Sequence, residues 1–143
     1  MLSKKQAKTF FLGGTLLFFL IFIALSVDSL SNGIPENTHP EKMSEQAKLG
    51  RYLWDKNNCM GCHTLMGEGA YYAPELTRVY SRKGPDYIRA VLTAPEGWQP
   101  RGRKMVKYDF TDEEVDALIA FFQWMNDTYL NGFPPEPMMA QPQ

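Results

Sequence analysis

The chain has 143 residues with 15 Lys or Arg and 16 Asp or Glu, which gives a formal charge of −1. Such a balance argues against nucleic acid as a partner, because neutralising phosphates requires a clear excess of basic residues. The two cysteines, Cys59 and Cys62, are too close in sequence to join distant loops, so a disulfide scaffold is also excluded.

The first predicted element is a membrane-spanning helix at residues 9–27, after a short N-terminal segment at 1–8. The helix reads TFFLGGTLLFFLIFIALSV, without a charge, and about 20 mostly apolar residues are needed to cross a bilayer. Three lysines precede it and Asp28 follows it, so the positive-inside rule predicts a cytoplasmic N-terminus. A cleaved signal peptide is the alternative, but the apolar run exceeds the ~7–15 residues of a signal core.

A polar linker is predicted at residues 28–43, between the membrane segment and the next domain. It contains the turn signals Asn32-Gly33, Pro35 and Pro40, and such residues favour loops over regular structure. The linker is expected to lift the following domain off the membrane surface.

Two short helices are predicted in the first part of a domain at residues 44–130. Ser44 is a good helix cap, and the helix that it starts is expected to run to about Asn57. Residues 64–86 are rich in Gly, Pro and Tyr and therefore indicate a loop, after which residues 87–93 favour a short helix.

The last predicted helix begins at Thr111. Thr111 and Glu114 have the spacing of a capping box, in which each side chain satisfies a free N–H at the helix start. An apolar stripe at spacings of three and four follows, formed by Val115, Leu118, Ile119, Phe122 and Met125. Asn131-Gly132 is predicted to end the helix, and the proline-rich tail at 131–143 is expected to be extended.

The strongest chemical signal is the motif CMGCH at residues 59–63, a C-x-x-C-H sequence typical of covalent c-type haem attachment. The spacing lets two thiols reach two vinyl-derived positions on one porphyrin edge, while His63 supplies the proximal iron ligand. A thiol redox pair and half a zinc site are the alternatives. The only other histidine is His39, in the predicted linker, and no βαβ pattern surrounds the cysteines.

Met105 is the predicted second iron ligand, because a thioether raises the potential of an electron-transfer haem. It follows His63 by 42 residues in an irregular stretch, which is enough chain to reach the opposite haem face. The alternative is a core-filling methionine with an open or bis-histidine iron. The carbonyl of Pro74 is the candidate acceptor for the other nitrogen of His63, unless Pro74 is only a turn proline.

These features together resemble a class I cytochrome c. Gly50 and Trp54 match the small-x-x-x-aromatic pair on the first helix of that family, and residues 118–121 match the last helix, which crosses it. The resemblance implies an all-α fold, with an N-terminal transmembrane helix followed by a class I cytochrome c-like helical haem domain.

The sequence also resembles, over nearly its whole length, the membrane-anchored monohaem C subunits of cytochrome c-dependent nitric oxide reductases. The matching segments are CMGCHTLMGEGAYYAPELTRV, YIRAVLTAPEGWQPRGRKM, DEEVDALIAFFQWM and NGFPP. GEGAYYAPEL at 67–76 and NGFPP at 131–135 are more specific than any segment of a generic cytochrome c.

The resemblance implies one covalently bound haem c, held by Cys59, Cys62, His63 and Met105. Arg101 and Arg103 flank the methionine and are candidate donors to the haem propionates, the alternative being ordinary surface arginines.

The resemblance further implies a calcium ion at the junction with another subunit, with the backbone of Gly69 and Tyr71 as candidate ligands. That other subunit would be a multi-helix catalytic protein with haem b and a haem b3/non-haem iron centre, which reduces NO to N2O. This chain would be a non-catalytic electron-entry subunit in the bacterial inner membrane, with its haem domain in the periplasm. Its donor would be a soluble cytochrome c or copper protein.

Two other functions remain open at this point. One is a stand-alone membrane-anchored cytochrome c that shuttles electrons to a terminal oxidase, which would need no specific partner face. The other is a peroxidase or gas sensor, which needs an open or displaceable site on the iron.

Overall fold

The computed structural model of the chain describes residues 3–99 and 102–129. Contacts between residues divide the chain between Thr38 and His39 into two units. The helices and strands are α1 (Lys4–Asp28), α2 (Ile34–Thr38), α3 (Glu45–Lys56), β1 (Thr64–Leu65), β2 (Glu68–Gly69), α4 (Val79–Lys83), α5 (Pro85–Leu92) and α6 (Asp112–Asp127). A π-helical turn lies at Ser29–Gly33, and 3-10 turns lie at Pro40–Lys42 and Cys59–Gly61. The described part is mostly helical, as predicted.

The first unit is one long helical stretch. Its start is fixed by a capping box, in which the Ser3 hydroxyl accepts from the Gln6 N–H at 3.2 Å and Gln6 accepts from the Ser3 N–H at 2.9 Å. Within the described residues, Lys4–Thr38 is the one stretch long and apolar enough to cross a membrane by length and composition. Its large apolar side chains are exposed, as a lipid-facing or partner-facing helix requires.

Residues 28–38, predicted as part of a linker, are helical in the structure. Pro35 lies at the second position of α2, directly after the π-helical turn at Ser29–Gly33. The Asn32 side chain donates to the Asp28 carboxylate at 2.8 Å, an i,i+4 pair that supports the helix. The turn-forming residue types therefore coincide with a local change from α-helical to π-helical geometry and do not end the helical stretch.

The second unit is built on the crossing of α3 and α6. The buried apolar core is formed by Ala47, Leu53, Trp54, Leu65, Val79, Ile88, Leu92, Val115, Ala117, Leu118, Phe121, Phe122 and Met125. Four of the five stripe residues predicted on α6 are buried, and Ile119 is partly buried. The ring of Trp54 packs edge-on against Phe122, with 5.8 Å between ring centroids.

Gly50 is the point of closest approach between α3 and α6. A Cβ atom there would overlap the carbonyl of Ala117 and would lie 2.8 Å from the Cβ of Phe121. Only glycine allows this crossing without moving one of the two backbones. The close contact that the class I cytochrome c resemblance implies is therefore present.

The connections between α3 and α6 contain structure that the sequence did not indicate. β1 and β2 form an antiparallel pair within the predicted loop at 64–86, and α4 lies at its end. Arg89 on α5 forms an ion pair with Asp116 on α6 and thereby ties α5 to the core. The predicted end of α6 at Asn131-Gly132 was wrong, since the helix ends at Asp127 and Thr128 is extended.

Thr111 is expected to contribute measurably to the stability of the second unit. Its hydroxyl accepts from the Glu114 N–H at 3.2 Å, and the Glu114 carboxylate accepts from the Thr111 N–H at 2.9 Å. Thr111→Ala should lower the free energy of unfolding by about 1 kcal/mol, because it removes the acceptor from the helix start. Denaturant unfolding of the full chain in detergent measures this. Thr111→Ser, which keeps the hydroxyl, is the control, and equal losses in both variants would contradict the capping role.

Candidate haem-binding site

The two cysteines lie on a tight turn directly after α3. Asn58 adopts a left-handed conformation, with φ of 49°, and turns the chain into the 3-10 turn at Cys59–Gly61. The Cys59 carbonyl then accepts from the N–H groups of Cys62 at 3.1 Å and His63 at 2.9 Å. This turn brings both thiols and the imidazole close together in the chain, as covalent haem attachment requires.

The two thiols differ in their surroundings, although both are free cysteines. Burial raises the pKa of the Cys59 thiol to about 11, whereas Cys62 is exposed. Burial, and after it the charges of the two cysteines, raise the pKa of the Tyr108 phenol. Thioether formation would remove both ionisable thiols and leave burial as the remaining effect on the pKa of Tyr108.

His63 is oriented by the backbone of Pro74. Its Nδ1 lies 2.7 Å from the Pro74 carbonyl oxygen, and since a carbonyl only accepts, Nδ1 must donate. Nε2 therefore carries the lone pair that a metal needs. Burial lowers the pKa of His63, while the hydrogen bond to Pro74 acts in the opposite direction. The hydrogen bond to Pro74 is the one expected from the sequence, and it leaves Nε2 free to bind a metal.

The segment that carries Pro74 runs beside the attachment turn. The Ala73 N–H donates to the Cys62 carbonyl at 2.8 Å, and the Leu76 N–H donates to the Thr64 carbonyl at 2.9 Å. These two bonds hold the Pro74 carbonyl in place, since it lies between them in sequence.

Met105 is half-buried and packs against the core. Its N–H donates to the Trp98 carbonyl at 2.8 Å in an isolated antiparallel bridge. Gly97 precedes the bridge with φ of 76°, and a Cβ there would overlap the Met105 carbonyl. Met125, by contrast, is buried in the core as predicted, with 3% exposure. Met105 thus has a fixed backbone and a side chain directed to the inner part of the domain, as a candidate ligand needs.

Of the two arginines predicted to pair with the haem propionates, the structure describes only Arg103. Arg101 lies outside the described residues. Arg103 donates from Nη1 to the Tyr72 carbonyl at 2.5 Å, and its guanidinium carbon lies 5.4 Å from the centroid of the Tyr72 ring. The contact between Arg103 and Tyr72 was not predicted, because no local pattern marks a pair 31 residues apart.

The candidate calcium residues lie in the loop around β2. Gly69 has φ of 120°, and a Cβ there would overlap the His63 carbonyl, so this glycine packs directly on the attachment turn. Tyr71 is 80% exposed, and its hydroxyl donates to the Gly67 carbonyl at 3.3 Å. Among the described residues, no group of three or more His, Cys, Asp or Glu side chains could hold a metal ion. The calcium site stays a prediction that depends on backbone ligands and on a partner.

The donor set on this unit fits a covalently attached haem. Two thiols for thioether bonds, an imidazole with a free Nε2 and a half-buried thioether come from the turn after α3 and the loop before α6. Trp54 Nε1 and Thr64 Oγ1, on either side of His63 in sequence, are buried without a hydrogen-bond partner in the described part. The residues present therefore have the chemistry that haem attachment and ligation require.

Comparison with known proteins agrees with this geometry. Residues 47–126 match the model of the cytochrome c family. The C subunit of the nitric oxide reductase of Halomonas halodenitrificans is 42% identical to the chain over 95% of the chain and 96% of that protein. The corresponding subunits of Stutzerimonas stutzeri and Paracoccus denitrificans are 34% and 36% identical, again over more than nine-tenths of both proteins. The chain belongs to the cytochrome c family and, within it, to the C subunits of nitric oxide reductases, and its cytochrome c domain carries covalently bound haem c.

Proposed function

We propose that the chain is the electron-entry subunit of a nitric oxide reductase complex. It accepts electrons from a soluble periplasmic donor, a small cytochrome c or a copper protein, and passes them to haem b of a multi-helix catalytic subunit. That subunit reduces two NO to N2O and water at a haem b3/non-haem iron centre. The observation that carries this proposal is the match to the nitric oxide reductase relatives along nearly the entire chain, including its membrane segment.

The chain's own residues attach, ligate and seal the haem. Cys59 and Cys62 would form the thioether bonds, and His63 and Met105 would ligate the iron. Haem c supplies a one-electron couple when bound. With an imidazole and a thioether both bound to the iron, NO would find no free position, so the chain would not itself be catalytic.

The membrane segment fixes the chain beside its partner. Three lysines at the start of α1 favour a cytoplasmic N-terminus in the bacterial inner membrane, which places the haem domain in the periplasm. The exposed apolar surface of α1 offers a face for the catalytic subunit. The loop with Gly69 and Tyr71 docks on the same partner, with backbone oxygens that contribute to a calcium site at the junction.

Purification of the chain from membranes in a mild detergent tests the proposal. We expect haem b to co-purify with the chain. When ferrous soluble cytochrome c is mixed with the oxidised complex, electrons should appear in the haem c absorption before that of haem b.

The control is a Cys59→Ser, Cys62→Ser variant of the complex, which cannot attach haem c. Reduction of haem b by the same donor should then fall to the background rate. Recovery of the chain alone without haem b would favour the stand-alone shuttle, and unchanged reduction of haem b in the variant would exclude this chain as the entry point.

A further inference from the structure

The backbone of Met105 is held on one side by its bridge to Trp98. The bridge to Trp98 fixes the Met105 N–H, and the Trp98 ring packs edge-on against Tyr87 of α5 at 5.7 Å between centroids. The amino group of Lys83 lies 5.3 Å from the centroid of the same Tyr87 ring. This support anchors the methionine from the α4–α5 side.

Arg103 provides a second anchor within the methionine loop, the described stretch at 102–110 that leads to α6. Its guanidinium makes two contacts with one residue, a hydrogen bond to the Tyr72 carbonyl and a cation–π contact with the Tyr72 ring. A planar guanidinium can donate in its plane and stack with its face at the same time, whereas a lysine ammonium cannot. Arg103 lies two positions before Met105, so this contact limits where the methionine can move.

The Tyr72 anchor point belongs to the segment that also holds His63. Ala73 bonds to the Cys62 carbonyl, and Pro74 accepts from His63 Nδ1. Residues 72–74 therefore bind to both sides of the candidate iron site. The Tyr72 carbonyl accepts from Arg103 of the methionine loop, and the Pro74 carbonyl accepts from the His63 imidazole. A shift of Arg103 would leave the imidazole side intact but would release one end of the methionine loop.

We propose that Arg103 is a positioning residue for Met105, which it keeps on the iron by fastening the methionine loop to Tyr72. This inference rests on the proposed ligation of the iron by Met105. It assigns Arg103 a role different from pairing with a haem propionate, and the two roles predict different results.

The test uses imidazole as a competitor for the Met105 position. The full-length chain with its haem c is oxidised in detergent and titrated with imidazole, while the thioether–iron charge-transfer band is followed. Arg103→Ala should increase the apparent imidazole affinity about fivefold, which corresponds to ~1 kcal/mol for an exposed charge-assisted contact. Arg103→Lys should keep only part of the protection, because a lysine cannot donate and stack together.

Lys104→Ala is the matched control, since it removes the same charge from the next, equally exposed position. Its imidazole affinity should stay within about twofold of that of the original chain. The comparison separates a general effect of losing a positive charge from loss of the contact between Arg103 and Tyr72. An equal effect of Arg103→Ala and Lys104→Ala would overturn the proposal.

Tyr72→Leu distinguishes fastening from propionate pairing. The variant removes the ring that Arg103 covers and should loosen Met105 in the same direction. In the double variant with Arg103→Ala the effects should be clearly less than additive, because both changes break one contact. Fully additive effects would assign Arg103 to another partner, such as a propionate. A Met105→Ala chain that kept its charge-transfer band would instead refute ligation by Met105, and the positioning role with it.

Discussion

Gly50→Ala is expected to destabilise the haem domain by about 3 kcal/mol. An alanine at most exposed helical sites stabilises by roughly 1 kcal/mol relative to glycine, so the sign here must come from packing. The added Cβ would overlap the Ala117 carbonyl, which is backbone and cannot rotate away. Either α3 or α6 must shift, and overpacking of this kind typically costs about 1–3 kcal/mol or more. Chemical unfolding of the full-length holoprotein, followed by haem absorption, measures the loss.

Gly13→Ala is the matched control for Gly50→Ala, because it makes the same change inside a helix. A Cβ at Gly13 has open space around it. This variant should leave the unfolding of the haem domain unchanged within ~0.5 kcal/mol. If Gly50→Ala unfolded at the same denaturant concentration as Gly13→Ala, the crossing of α3 and α6 would have to be looser than the structure has it.

The helices that carry the domain were predictable because their signals are local. Ser44 caps α3 and Thr111 caps α6, and both side chains accept the expected hydrogen bonds. The contact site on α3 was predictable for a related reason, because the small-x-x-x-aromatic pair is also a local pattern. Gly50 and Trp54 lie four positions apart on one face, and glycine at such a place indicates a close neighbour. Local spacing thus predicted the helices and the site of their contact.

The elements that escaped prediction depend on contacts between distant parts of the chain. α6 ends at Asp127, before the expected Asn131-Gly132, and the Arg78 side chain donates to the Thr128 carbonyl at 2.8 Å just beyond that end. The Arg103–Tyr72 contact and the Trp98–Met105 bridge likewise join segments that no periodic pattern connects. The available sequence signal was Gly97 between Pro95 and Pro100, because glycine among prolines indicates an unusual backbone, and its φ in the structure is positive.

His63 and its hydrogen-bond acceptor were easier to predict from the sequence than the second iron ligand. C-x-x-C-H carries its own ligand, and a carbonyl of an X-Pro segment about ten residues later was a reasonable acceptor, which the structure places 2.7 Å from Nδ1. Met105 had to be chosen from eight methionines by exclusion. A functional assignment reached by exclusion needs a direct test.

Met105→Ala is expected to have the largest functional effect of any single change in the methionine loop. Loss of the thioether should abolish the thioether–iron charge-transfer band of the oxidised chain. It should also lower the reduction potential by on the order of 0.1–0.3 V, a fraction of the ~0.8 V span that axial ligands control. Potentiometric titration of the full-length holoprotein, followed by absorption, measures both quantities.

Met66→Ala is the matched control for Met105→Ala, because it removes the same thioether from a position just after the CMGCH motif whose side chain is 41% exposed. Its band and potential should be unchanged. The open iron of Met105→Ala should bind CO when reduced, whereas the original chain and Met66→Ala should not. Ready CO binding by the original chain would argue for a displaceable ligand and a sensor or peroxidase. Loss of the band together with new CO binding in Met105→Ala alone would establish that Met105 keeps gases off the iron, as an electron-transfer subunit requires.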